Sequence, residues 1–256
     1  MDELIIQGRR IGYGCSRSKF DASQTTLLFI HGSGGDREDW RFQLDGLTAP
    51  GAVMAIELPG HGKSDPPGEQ SVSGYARWVE LFVTNLGLKR VVLMGCSLGS
   101  AITQWMALHP QSWLVAAGLI GSGARLRVLP SLLDGLINEP SKALQLLASH
   151  CLSSSCADSL RRSIEEKYGN SDPMIIHGDL SACDQFDVMD TVHRVSVPTL
   201  IVVGQEDQLT PVKYSRFLAE KIERSNLVII PGAGHLVMLE RPNEFNEATQ
   251  KFLNSL

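Results

Sequence analysis

The sequence predicts an α/β fold: a mostly parallel sheet flanked by helices on both faces, with a helical insert after its sixth strand. Three observations carry this prediction. Short apolar runs alternate with longer helical stretches in the first and last parts of the chain, the pattern of β/α units around a buried sheet. The run Val91-Val92-Leu93-Met94 passes through Gly95-Cys96-Ser97-Leu98-Gly99 into an apolar helix from Ala101 to His109, a strand–turn–helix junction. The alternation lapses between Ala124 and Asp187, where the helical patterns are punctuated by Pro130, Pro140 and Pro173.

Composition narrows the class. With 256 residues, 43% hydrophobic and 20% charged, the chain suits one globular unit with a large core. A net charge of -5 and the lack of any basic run argue against nucleic acid as a partner. Met1-Asp2-Glu3-Leu4 has neither the basic start nor the apolar core of a signal peptide. No apolar run approaches the roughly 20 residues of a membrane span, so no membrane partner is expected. The cysteine count of five is odd, and the residues are scattered (Cys15, Cys96, Cys151, Cys156, Cys183). Free thiols in a reducing cytoplasm are therefore expected, including at Cys151 and Cys156.

Taken in order, residues 4–15 alternate loosely around Gly8, Gly12 and Gly14, which predicts an antiparallel hairpin at a sheet edge. Thr25 to Ile30 reads as a buried strand and delivers His31-Gly32-Ser33-Gly34-Gly35, followed by a helix around Trp40 to Leu47. Ala52 to Glu57 is the next strand, with Leu58-Pro59-Gly60-His61-Gly62-Lys63-Ser64 as its loop. Ser73 is expected to cap a helix that reaches Leu86 and stops at Gly87. After the junction strand and its helix come a strand from Leu114 to Ile120 and the insert. The rhythm resumes with strands at Val197 to Val203 and Leu227 to Ile230, and helices at Pro211 to Glu223 and Pro242 to Leu253. Residues 1–123 and 188–256 thus form the core, and residues 124–187 a helical cap over one end of the sheet.

The Gly-x-Ser-x-Gly junction points to chemistry. Glycines two residues either side of Ser97 give clearance to a turn too tight for side chains, and the helix N-terminus offers free N–H groups to a developing oxyanion. A serine hydroxyl needs a base, and the base needs an orienting acid. Of seven histidines, His235 directly follows a buried strand, in Pro231-Gly232-Ala233-Gly234-His235. That places it at the same sheet edge as Ser97, where sites in open α/β sheets form. For the acid, the chain order Ser, Asp or Glu, His points between residues 97 and 235. Asp207 follows a strand end, with Glu206 as a chemically able neighbour. The loop after Ile120 offers no carboxylate, and Asp179, Asp184, Asp187 and Asp190 read as helix caps and surface charges. The oxyanion donors are expected to be the amides of Leu98 and Ser33.

Two lookalikes fail. In Gly32-Ser33-Gly34 the third glycine of a dinucleotide fingerprint would fall at Arg37. In Gly62-Lys63-Ser64 the first glycine of a phosphate loop would be Glu57. No metal-ligand spacing occurs, so no cofactor and no metal are expected.

These motifs together strongly resemble the α/β-hydrolase fold family over essentially the whole chain: His31 to Gly35, Pro59 to Ser64, Gly95 to Gly99, Gly204 to Asp207 and Gly234-His235. The resemblance implies Ser97, Asp207 and His235 as a catalytic triad, Ser33 and Leu98 as oxyanion donors, and residues 124–187 as a cap. It is similar above all to small carboxylesterases and enol-lactone hydrolases, which implies a small-molecule ester or lactone substrate in a monomer or homodimer. A departure is Glu57, where many members carry Asp. The same fold also hosts C–C bond hydrolases, a cofactor-free lyase and small-lactone receptors with vestigial turnover, and the motifs alone do not separate these. Arg125 and Arg127, where the cap leaves the sheet, are read either as recognising a substrate carboxylate or as surface ion pairs.

Overall fold

The strands form where β-branched and other apolar residues run between glycine- or proline-marked turns. The computed structural model describes residues 2–109 and 111–256. Among them are strands β1 (Asp2–Ile6), β2 (Arg9–Cys15), β3 (Thr25–Ile30), β4 (Val53–Ile56), β5 (Arg90–Cys96), β6 (Leu114–Ile120), β7 (Thr199–Gly204) and β8 (Ser225–Ile230). They form one sheet in the order β1-β2-β4-β3-β5-β6-β7-β8. β1 and β2 make the antiparallel edge hairpin, β2 pairs antiparallel with β4, and the rest are parallel.

Side chains along the central strands alternate between two apolar layers, as a sheet covered on both faces requires. Leu28, Ile30, Val91 and Leu93 face one layer with Tyr75, Val79, Phe82 and Ile102. The last four belong to helices α2 (Val72–Asn85) and α3 (Leu98–Leu108). Phe29, Val92 and Met94 face the other layer, with Trp40, which closes the 3₁₀ turn Arg37–Trp40 ahead of α1 (Arg41–Gly46), and with Phe245. Trp40 stacks on Phe29 with ring centroids 4.3 Å apart. The cap of α2 is Ser71, whose hydroxyl accepts from the Gly74 amide at 3.0 Å, rather than the expected Ser73. The helix starts two residues early because Val72 is buried in the core and is drawn into the first turn.

Between β6 and β7 stand four α-helices, α4 (Pro130–Asn138), α5 (Pro140–His150), α6 (Asp158–Gly169) and α7 (Pro173–Gln185), and a 3₁₀ turn, Val192–Arg194. The two ends of this insert are paired to each other. The Leu126 amide donates to Phe186 O at 3.4 Å, and the Val188 amide to Ala124 O at 2.8 Å. The insert therefore leaves and re-enters the sheet through one narrow neck. The chain closes with α8 (Val212–Lys221), the short α9 (Val237–Glu240), which the sequence reading lacked, and α10 (Pro242–Leu253).

The β5–α3 junction is the tightest point of the fold. A Cβ at Gly95 would stand 2.0 Å from Gly99 O, and one at Gly99 would stand 2.4 Å from Ile30 O. Backbone, not a movable side chain, occupies both spaces, so Gly99→Ala is expected to cost about 3 kcal/mol, a fall in Tm of roughly 6–12 °C. Gly169→Ala, whose Cβ would meet nothing within 4 Å, is the control, with Tm expected within about 2 °C of wild type.

Candidate active site

Ser97 sits in the junction with φ 54° and ψ -115°, a left-handed conformation that a non-glycine residue adopts only when its surroundings impose it. The surroundings are visible. Its amide donates to Ile120 O at 3.0 Å, and the Ser100 hydroxyl donates to Ser97 O at 2.7 Å. Ser100 in turn lies 2.8 Å from the Ser122 hydroxyl, which accepts from Gln104 Nε2 at 3.1 Å. A buried polar chain thus supports the turn from below. Leu98 opens α3, so its N–H has no acceptor inside the helix. Among the described residues the amides of Leu98 and Ser33 have no hydrogen-bond acceptor within the chain.

Asp207 and His235 come together at the C-terminal ends of β7 and β8. The His235 Nδ1–H donates to Asp207 Oδ2 at 2.9 Å, and both residues are buried. Asp207 also accepts from the Leu209 and Thr210 amides at 2.9 and 2.8 Å and from the Thr210 hydroxyl at 2.8 Å. Burial alone would raise the Asp207 carboxyl, but His235 and these donors more than offset it and hold the carboxyl below its ordinary value. Thr210 was not singled out from the sequence, although its position three residues after Asp207 is the signal of a side chain capping its own turn. The rival acid, Glu206, turns away and accepts from the Ser154 hydroxyl at 3.0 Å. Gly121 leaves room for the imidazole: a Cβ there would stand 2.9 Å from His235 Nδ1. Ser97 and His235 line the same cavity, and among the described residues no hydrogen bond joins them. Catalytic hydrogen bonds commonly tighten only around a substrate.

Asp179 corrects the reading of it as a surface charge or cap. It lies in the middle of α7 and is fully buried. Its Oδ2 accepts from the Ser33 hydroxyl at 2.9 Å, the Gly34 amide at 3.3 Å and His61 Nε2 at 2.9 Å. Its Oδ1 accepts from the Tyr75 hydroxyl at 2.5 Å. Asp184, Asp187 and Asp190 do remain at least partly exposed.

His61 and His31 lie side by side, with ring centroids 4.8 Å apart, and their partners dictate opposite charge states. Both nitrogens of His61 face acceptors, Pro59 O at 3.1 Å and Asp179 Oδ2, so the ring is an imidazolium. Burial pulls its pKa down, but Asp179 more than compensates and the net shift is upward. His31 donates from Nδ1 to Gly32 O at 2.7 Å and accepts at Nε2 from the Leu58 amide at 3.0 Å, which only the neutral ring can do. Burial, with the neighbouring His61 charge, pushes it down to about 3.

The cavity over Ser97 has a volume of about 850 Å³. Leu126, Val128, Leu147, Ile164 and Leu180 line it from the insert, and Leu236 from the core. Lys167 of α6 also reaches it and pairs with Asp36 at 2.9 Å and Asp39 at 2.7 Å. Arg125 lines the cavity while paired with Asp187 at 3.2 Å, both side chains 41% exposed, and Arg127 donates to Asp184 O at 3.0 Å. Among the described residues, no cluster of three or more His, Cys, Asp or Glu could hold a metal ion.

The profile of the alpha/beta hydrolase family matches residues 27–248. The chain belongs to that family. A solved structure described as a thermophilic esterase is 36% identical, with a TM-score of 0.88 and coverage of 99% of this chain and 97% of the other. Another family relative, 3-oxoadipate enol-lactonase 2 of Acinetobacter baylyi, is 25% identical over 90% of this chain and 88% of its own length. Protein ABHD8 of Mus musculus is 29% identical over 90% of this chain. The chain spans only about half of that protein, 55% of its length.

The two histidines set opposite pH limbs. Between pH 6.5 and about 3 the unfolded chain binds a proton at His31 that the folded chain refuses, so stability falls as pH drops through that window. The raised pKa of His61 gives a contribution complete below 6.5 and lost as pH climbs through the folded value. Tm measured against pH is expected to fall on both sides. His31→Asn should flatten the acid limb and His61→Gln the alkaline one; unchanged slopes in both variants would contradict the assignment.

Proposed function

We propose that this chain is a serine hydrolase that cleaves a small carboxylic ester or lactone through an acyl-enzyme. The observation that carries the proposal is the Asp207–His235 hydrogen bond facing the same cavity as a serine in a left-handed turn. Two relatives, a thermophilic esterase and an enol-lactonase, support the choice of bond.

In this reading His235 Nε2 takes the proton of Ser97 as Oγ attacks the substrate carbonyl, and Asp207 keeps the imidazole in the Nδ1–H tautomer and steadies its positive charge. The Leu98 and Ser33 amides meet the oxyanion, which develops where two N–H groups are free of other acceptors. His235 then protonates the leaving alcohol. A water activated by the same ring releases the acid and frees Ser97. The lining of leucine, valine and isoleucine favours an apolar acyl or alcohol group over a strongly polar one. Arg125 spends its charge on Asp187, which favours the surface ion pair over recognition of a substrate carboxylate. The five cysteines are free, and among the described residues no helix is long and apolar enough to cross a membrane. The free thiols support a reducing compartment, the cytoplasm.

Initial rates on p-nitrophenyl esters from acetate to decanoate test the proposal. Hydrolysis that depends on Ser97 is expected within this series, its maximum reporting the acyl length the apolar cavity accepts. Ser97→Ala should lower kcat by roughly 10⁴–10⁶-fold, and Asp207→Asn by about 10⁴-fold. A Ser97→Ala protein with wild-type rates would refute the nucleophile. Slow turnover with Ser97 still labelled by a fluorophosphonate would point instead to a receptor, or to a C–C hydrolase or lyase on this fold.

A further inference from the structure

The loop Gly32-Ser33-Gly34-Gly35 is rich in the residue that loses most freedom on folding, so left to itself it would wander. Its peptide plane is nonetheless pinned. Gly32 O receives the His31 Nδ1–H at 2.7 Å and the Gly35 amide at 3.1 Å. In a trans peptide the N–H points opposite to the C=O, so these two donors aim the Ser33 amide away from His31. Gly32 lies beside the nucleophile: a Cβ there would stand 3.3 Å from the Ser97 Cβ.

The other half of the grip comes from the insert. Asp179 of α7 holds the Ser33 hydroxyl and the Gly34 amide on one oxygen, at 2.9 and 3.3 Å. Tyr168 of α6 donates its hydroxyl to Ser33 O at 3.0 Å. Gly34 has φ 67°, and a Cβ on it would stand 2.8 Å from Ile176 Cδ1 and 3.1 Å from Tyr168 Cε1. The insert therefore packs directly against the loop, and the positive φ of Gly34 favours glycine there. Asp179 is itself fixed by two groups of the core, His61 and Tyr75, so it cannot follow the loop if the loop moves.

We propose that Asp179 and Tyr168 are positioning residues for the oxyanion donor: the insert, besides covering the cavity, sets the direction of the Ser33 N–H. This inference rests on the acyl-transfer reading above. Preorganised donors contribute because they need no reorientation as the charge develops, and a donor displaced by about 1 Å can lose up to about 10²-fold in rate. Neither residue needs to touch substrate to act in this way.

The test combines steady-state kinetics on a p-nitrophenyl ester with the affinity of a trifluoromethyl ketone. Ser97 Oγ adds to that ketone, its proton passes to His235, and the resulting hemiketal oxygen occupies the oxyanion position. The variants are Asp179→Ala, Asp179→Asn and Tyr168→Phe. Asp179→Ala is expected to lower kcat by about 10–100-fold with KM changed by less than about threefold, and to weaken the ketone by the same factor as kcat/KM. Asp179→Asn keeps an oxygen acceptor for Ser33 and Gly34 but removes the charge that balances His61, so it should recover only part of the loss. If Asp179→Ala does not fold, Tyr168→Phe decides, since it removes one hydroxyl and leaves Asp179 in place. A Tyr168→Phe protein with wild-type kcat and wild-type ketone affinity overturns the proposal. So do Asp179 variants in which KM rises with no change in ketone affinity. A wild-type chain that neither hydrolyses the ester nor binds the ketone overturns the acyl-transfer reading and this one together, whereas an active wild type with indifferent variants overturns this one alone.

Discussion

Everything in the site hangs on how closely β5 and α3 approach the end of β3. Gly99 lies against Ile30 O and His31 O, and Gly95 against the backbone of Gly99. These contacts leave Ser97 no ordinary backbone conformation, and the neighbouring Ile120 and Ser100 hydrogen bonds lock the strained one in. Strain of this size is tolerated only where packing over-determines it. Here the packing is that of a sheet buried on both faces, whose parallel register between β3, β5 and β6 brings the three strand ends to one edge. The loops that carry Asp207 and His235 reach that edge because β7 and β8 extend the same parallel run.

A second layer of order is electrostatic. Two histidines within van der Waals reach would repel if both were charged, and the chain avoids this by giving them different partners. His31 faces one acceptor and one donor and stays neutral, while His61 faces two acceptors and is charged. Asp179 supplies the balancing charge from the insert, so the buried imidazolium is never unpaired, which is the condition for burying an ion at all. Lys167 repeats the arrangement with reversed signs, a cation from the insert set between Asp36 and Asp39 of the core.

The sheet and the tight turn after β5 were legible because their signals are local. Strands β3 and β6 and helix α10 coincide with the runs read from the sequence, and Gly95 and Gly99 announce the turn by spacing alone. Asp207 and His235, nominated by their place after strands, do meet in a hydrogen bond. Asp179 was not, and the reason is physical. A carboxylate in the middle of a helix looks the same in sequence whether it faces water or the core, and its partners Ser33, His61 and Tyr75 lie 146, 118 and 104 residues away. Short-range competition explains the smaller differences. Ser71 and Ser73 are equally good caps in isolation, and burial of Val72 selects between them. The four-residue α9 falls below the length at which helical periodicity registers.

The neck formed by Ala124–Leu126 and Phe186–Val188 has a consequence for how such a chain can change over time. In connectivity the insert is a cassette: a different set of helices could enter and leave through the same pair of hydrogen bonds without disturbing sheet register. In energetics it is not interchangeable. A graft lacking counterparts of Asp179 and Lys167 would strand His61 as a buried cation and leave Asp36 and Asp39 as uncompensated acids beneath it. Cassette and host must therefore be exchanged as a matched set, and drift in one constrains which replacements the other will accept.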